Sequence, residues 1–199
     1  MRWCVCFVSA AALAACTPAG ETVETSEAEK AGEASETSEA SEASEVSETV
    51  ELTLRGTGLA VSGGEGAILA FGSPRETAEG VVAAILGDAI SRQSNEECGA
   101  GPMQFSAFAE GLTLNFQDDA LVGWFLSDDA DGTLATDKGI GLSSVIGDFE
   151  SAHLASRIEE STLGIEAYSE SDGIGALIAD GAEGETITDM YAGTNCFFR

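Results

Sequence analysis

Basic residues are scarce in this chain: eight Lys and Arg stand against 35 Asp and Glu, for a net charge of −27 over 199 residues. Nucleic-acid binding needs a basic footprint, so that class is excluded, and electrostatic attraction to anionic headgroups is excluded on the same ground. Histidine is scarcer still, with one copy, His153, late in a helical segment near Glu150. A hydrolytic triad would have to use it as base, yet no Gly-x-Ser-x-Gly turn accompanies the serines, so it reads as an incidental surface or helix-end residue. One His and two distant cysteines also lack zinc-ligand spacing. Gly56-Thr57-Gly58 follows a strand but has no third glycine opening a helix, which excludes a dinucleotide fingerprint and any dehydrogenase reading built on it. Cys98 is flanked by Glu96 and Glu97, whose charge disfavours a thiolate, so it makes a poor nucleophile. No cofactor is expected.

No apolar run is long enough to cross a bilayer as a helix; the longest opens the chain, from Trp3 to Ala15. It comes after Arg2 and ends in small residues, which reads as a secretory signal peptide over 1–15. Its last residues, Leu13-Ala14-Ala15-Cys16, resemble the lipobox of bacterial lipoproteins. That resemblance implies that Cys16 is acylated and becomes the mature N-terminus, placing the protein in the cell envelope and on a membrane through lipid. Thr17 is not the aspartate that retains lipoproteins at the inner membrane under the enterobacterial rule, which favours the outer membrane.

The segment after Cys16 is acidic and simple. Residues 17–51 hold eleven Glu and a single base, Lys30, in a theme such as Ser38-Glu39-Ala40, Ser41-Glu42-Ala43, Ser44-Glu45-Val46. A period of three matches no helix face and brings no apolar stripe, so 16–50 reads as the acylated Cys plus a disordered tether. A flexible chain of this length spans roughly 30–35 Å, and like charge extends it further.

From 51 to 199 short apolar segments alternate with glycine, and the sequence predicts one α+β domain of two similar halves, about 51–128 and 132–199. Each half reads as a capped helix followed by an antiparallel meander. In the first, Leu52-Thr53-Leu54 and Ala67–Phe71 are extended; Ser73 caps a helix with Pro74 at its first position and Glu76 reaching back. The helix carries Ala78, Val81, Val82 and Ile85 and ends at Gly87. Leu112–Phe116 and Leu121–Leu126 then form strands around an Asp118-Asp119 turn. In the second half, Ser144 caps a helix bearing Ile146 and Phe149. Thr162–Tyr168, Gly173–Ile178 and Ile187–Gly193 are extended. Gly72-Ser73-Pro74-Arg75-Glu76, Gly141-Leu142-Ser143-Ser144 and the strand order resemble the small outer-membrane assembly lipoproteins and the two-repeat β-lactamase inhibitor proteins. Those families open each unit with two helices where one is expected here, and activity does not follow from fold.

Two cysteines remain after Cys16, Cys98 and Cys196. In an exported chain they read as a disulfide, with two separate buried thiols as the alternative. Such a loop is worth about 4.7 kcal/mol of chain entropy. Ser127–Gly132 sets Asp129 and Asp131 in register with EF-hand positions, but the twelfth position falls on Lys138, so only a looser calcium site survives. Trp124 and Tyr191 fall at similar places in the final strands, either as a partner-binding surface on one sheet face or as core. The leading expectation is a membrane-anchored envelope lipoprotein with a non-catalytic binding or scaffolding domain, its partner an envelope protein. The competing one is an enzyme acting on an exported small molecule, with Asp118, Asp119 or Glu110 converging on His153. Calcium-dependent binding is the third.

Overall fold

Period-two alternation of apolar residues recurs through most of the segment after Glu51, and each such stretch becomes a strand. In the computed structural model, which describes residues 50–63, 66–127, 133–181 and 184–197, the strands are β1 (Glu51–Arg55), β2 (Gly58–Ser62), β3 (Ala67–Ala70), β4 (Ser91–Asn95), β5 (Met103–Ala107), β6 (Leu112–Gln117), β7 (Ala120–Ser127), β8 (Ala135–Thr136), β9 (Ser156–Ile158), β10 (Ile165–Ser169), β11 (Ile174–Gly181) and β12 (Gly184–Gly193). The helices are α1 (Arg75–Leu86) and α2 (Ile146–His153). Cys16, the tether, Asp129 and Asp131 lie outside the described residues.

The expected α+β class is therefore corrected. Among the described residues the fold is β-rich, with two helices and two sheets ordered β3-β2-β1-β8 and β4-β5-β6-β7-β12-β11-β10-β9. The excess of strand comes from β2, β4 and β5, with the short β8 and β9. β4 (Ser-Arg-Gln-Ser-Asn) is an edge strand with no apolar side chain, and such a strand leaves no hydrophobic signature.

The two serine caps are also corrected. Neither helix has a side-chain cap: Pro74 and Val145 occupy the cap positions, both extended. Instead the backbone entering each helix is bridged to the large sheet. Gly72 N–H donates to Leu121 O (2.7 Å) and Leu121 N–H to Ser73 O (2.9 Å). Before α2, Ser143 N–H donates to Ile187 O (2.8 Å) and Ile187 N–H to Ser144 O (3.0 Å). α1 ends at Gly87, in the left-handed region (φ 85°), as its sequence implies.

Residues paired directly across an antiparallel ladder share a face. The pairs Leu114↔Trp124, Trp124↔Ala192 and Ala192↔Ile174 define one face of the eight-stranded sheet. α1, α2 and the four-stranded sheet cover it, and the core of Leu54, Leu59, Val82, Leu114, Trp124, Phe149 and Met190 lies between them. Trp124 is wholly buried, and its indole N–H donates to Arg55 O (2.8 Å), so one side chain ties the two sheets together. The Gly56-Thr57 turn is a close-approach device: a Cβ at Gly56 would overlap the carbonyl oxygen of Asp172 in the β10–β11 turn.

α1 is held to β4 and β5 by a charged cluster. Glu79 accepts from Arg75 Nε (2.7 Å), Ser106 Oγ (2.6 Å) and Arg92 (2.7 Å and 3.1 Å). Arg75 also lies 4.9 Å from the centroid of Phe116. Burial opposes ionisation of Glu79, but the hydrogen bonds from Arg92, Ser106 and Arg75 outweigh it and hold the carboxyl down at about 2, against 4.5 ordinarily. A depressed folded-state value means that this stabilisation is complete above pH 4.5 and is lost as pH falls toward 2.

Two outcomes are expected. The melting temperature should fall through that acid window, and Glu79→Gln should flatten the fall; an unchanged acid limb would remove Glu79 from it. Gly56→Ala should cost about 1–3 kcal/mol in urea unfolding, and a cost near zero would show that the turn can move aside.

Candidate functional site

Among the described residues, the opposite face of the large sheet carries no helix. Its register runs Thr113↔Phe125, Phe125↔Tyr191, Tyr191↔Gly175 and Gly175↔Tyr168, with Phe105↔Asn115 alongside. Gly175 has no side chain, and the Tyr191 ring lies over it: a Cβ there would overlap the ring. Across this face the chain folds back after β12. Thr194 N–H donates to Val122 O (2.8 Å), and the buried Asn115 amide donates to Thr194 O (3.1 Å) and Asn195 Oδ1 (2.7 Å). Phe197 then packs edge-on against Tyr191 (centroids 4.9 Å) and Phe125 (6.0 Å). Cys98 and Cys196 meet at disulfide distance with Cα atoms 5.2 Å apart, fastening this strap to the loop after β4.

Beside the strap is a cavity of about 630 Å³, walled by Tyr168, Tyr191, Phe197, Ile158 and Asn195 and floored by Gly99, Ala100 and Gly193. That volume lies within the roughly 300–1,000 Å³ usual for ligand sites. Behind the wall is Glu166, fully buried. Its two oxygens accept from the Tyr191 and Ser161 hydroxyls.

A second polar group lies near the small sheet. His153, at the end of α2, is 1% exposed rather than on the surface. Its Nδ1 lies 2.7 Å from Asp172 Oδ2 and its Nε2 3.0 Å from Thr136 Oγ1. The imidazole bridges the Asp172 carboxylate and the Thr136 hydroxyl, one ring nitrogen to each. Carboxylate, imidazole and hydroxyl thus stand in the order of a hydrolytic triad. Thr136 is nonetheless 4% exposed as a residue, and its hydroxyl already accepts from the N–H groups of Lys138 (3.4 Å) and Ile140 (3.3 Å). Lys138 also pairs with Asp172, and its hydrogen bond, with that of His153, holds this carboxyl below the usual range. The array fastens the β8 loop, α2 and the β10–β11 turn to one another.

The residues singled out from the sequence are dispersed. Asp118 and Asp119 form the β6–β7 turn, both with positive φ, and are exposed. Glu110 accepts from Thr133 N–H (2.9 Å) and Oγ1 (3.0 Å). None of the three is a hydrogen-bond partner of His153; its carboxylate is Asp172. Glu150 pairs instead with Arg157. Trp124 and Tyr191 do not share a face: Trp124 is opposite Ala192, and Tyr191 opposite Phe125. Trp124 is core, and Tyr191 backs the cavity. Tyr168, Phe197, Glu166 and Asp172 were not singled out, because cross-strand register, the β10–β11 turn and the reversal after Gly193 bring them to these places. No three His, Cys, Asp or Glu residues among those described are grouped to hold a metal ion.

No protein family, curated protein or solved structure matches this chain.

Replacing Cys98 and Cys196 by serine should lower stability by about 2–4 kcal/mol and expose the segment after Gly193 to protease. Equal urea midpoints for the serine variant and the parent would show that the strap holds without the bridge.

Proposed function

We propose that this chain is a lipid-tethered envelope lipoprotein whose domain is a non-catalytic binding module, and that it binds on the helix-free face of the large sheet. One observation carries the reading: an aromatic-walled cavity of about 630 Å³ on a face that no helix among the described residues covers. Tyr168 and Phe197 are half-buried at its wall, and rigid rings with few rotatable bonds favour binding surfaces. The tether is inferred from the Leu13-Ala14-Ala15-Cys16 motif and the acidic repeat, which would hold the module off the bilayer while leaving it free to turn. Thr17 favours the outer membrane.

The competing reading is an enzyme acting on an exported small molecule, and it would draw on Thr136, His153 and Asp172. The order of groups suits acyl transfer, but a nucleophile needs a free hydroxyl, and Thr136 is buried with its hydroxyl already bonded to two backbone N–H groups.

Two measurements test the proposal. Mass spectrometry of the mature protein should find Cys16 as an acylated N-terminus, and a bare Cys16 thiol or a retained Met1 would remove the anchor. A pull-down from envelope extract should retain a component on the parent chain and on an α1 surface control, Glu76→Lys, but lose it on Tyr168→Asp. Retention indifferent to Tyr168→Asp would move the binding surface elsewhere.

A further inference from the structure

Building on the binding role proposed above, we infer that the cavity takes a small organic cation carrying an alkylated ammonium head. The walls are suited to it first by their rings. Tyr168 lies nearly parallel to Tyr191, at 23° with centroids 6.3 Å apart, and Phe197 closes on Tyr191 edge-on at 4.9 Å. An aromatic ring is negative on its face, and an ammonium within about 6 Å of the centroid is attracted to it. Gly99, Ala100 and Gly193 add at most a methyl group to the lining, which leaves the cavity open beside the rings.

The second feature is the carboxyl behind the wall. The Tyr191 hydroxyl donates to Glu166, which is 0% exposed. A phenol that leans its proton toward a carboxyl gains electron density on its ring, so its pull on a cation deepens. In low-dielectric surroundings that effect is larger than it would be in water. A neutral ligand would meet the same rings without this gain.

The third feature is the charge around the opening. No described residue lining the cavity is basic. Gly99 and Ala100 come just after the exposed Glu96 and Glu97, and Ile158 is followed by the exposed Glu159 and Glu160. The neighbouring base, Arg157, pairs in register with Ala167 and so belongs to the helix-covered face, where Glu150 (2.9 Å) and Glu185 (2.6 Å) hold it. The domain from Leu52 onward carries 24 acids against six bases, a net of −18, so its long-range field draws cations and repels anions. A bare metal ion would want several oxygen ligands, whereas this lining offers chiefly ring faces and aliphatic surface. An alkylated ammonium, with its charge spread over methyl groups, matches both.

The test is isothermal titration of the full-length chain in maltoside micelles with choline, with its uncharged isostere 3,3-dimethylbutan-1-ol, and with an octalysine peptide. Choline should bind about tenfold or more tightly than the isostere, Tyr168→Ala should weaken choline about tenfold, and Tyr168→Phe should restore it. Tyr168 is half-buried, and the Phe variant controls for loss of fold. Equal affinity for choline and the isostere would overturn the cation while leaving the binding role intact. So would octalysine binding without choline binding, which would point to a basic protein partner instead. Choline binding indifferent to Tyr168→Ala would overturn the site. Should neither small molecule nor peptide bind while the Tyr168→Asp pull-down still discriminates, the inference alone fails; if the pull-down does not discriminate either, the binding role fails with it.

Discussion

The antiparallel ladder between β7 and β12, from Ser127 opposite Asp189 to Gly123 opposite Gly193, joins two four-stranded meanders into one sheet. Each meander alone would present a long unpaired edge at its final strand, with a row of unsatisfied backbone groups. Pairing the two removes both edges at once and moves the outer edges to β4 and β9, which are short or polar. The same ladder decides which side chains meet. It sets Trp124 against Ala192 beneath the helices and Tyr191 against Phe125 on the other side. A slip of one residue would exchange those faces, turning the indole outward and the phenol into the core.

That division of faces sorts the remaining groups. The helix side is dry and apolar, with one indole hydrogen bond reaching the small sheet. Its polar groups are confined to the margins, in the Glu79 cluster beside β4 and the His153 array beside β10. Both satisfy every buried polar side chain they contain, and no buried side-chain nitrogen or oxygen among the described residues lacks a partner. Among the described residues the other side is crossed by one strap of backbone, and Tyr168 and Phe197 stay half-buried there. Burial separates the two places: Thr136 of the triad-like array is buried, whereas Tyr168 and Phe197 beside the large cavity are half-buried.

Much of this was legible where burial on one face writes an alternation into the chain. Leu112-Thr113-Leu114 and Leu121–Leu126 declare β6 and β7, and Ile146 with Phe149 declare α2. Where burial does not alternate, nothing was written: β4 is polar throughout, and β2 hides behind the glycines of its turn. The serine caps misled because capping sequences and bridged strand ends use the same small polar residues; here Ser73 and Ser144 give their backbone oxygens to Leu121 and Ile187 instead. The cavity could not be read at all. Tyr168, Tyr191 and Phe197 become neighbours through register and a reversal after Gly193, and neither is encoded within any one window of sequence.

β12 comes last in chain order among the described strands, yet it occupies the middle of the large sheet, between β7 and β11. Assembly therefore cannot proceed outward from the N-terminal half alone. Until Gly184–Gly193 arrives, β7 and β11 have no neighbour on one side, and the growing polypeptide is held short of a closed native state. Such an order keeps the chain pliable while it is being made, and the sheet locks only when its last described strand is in place.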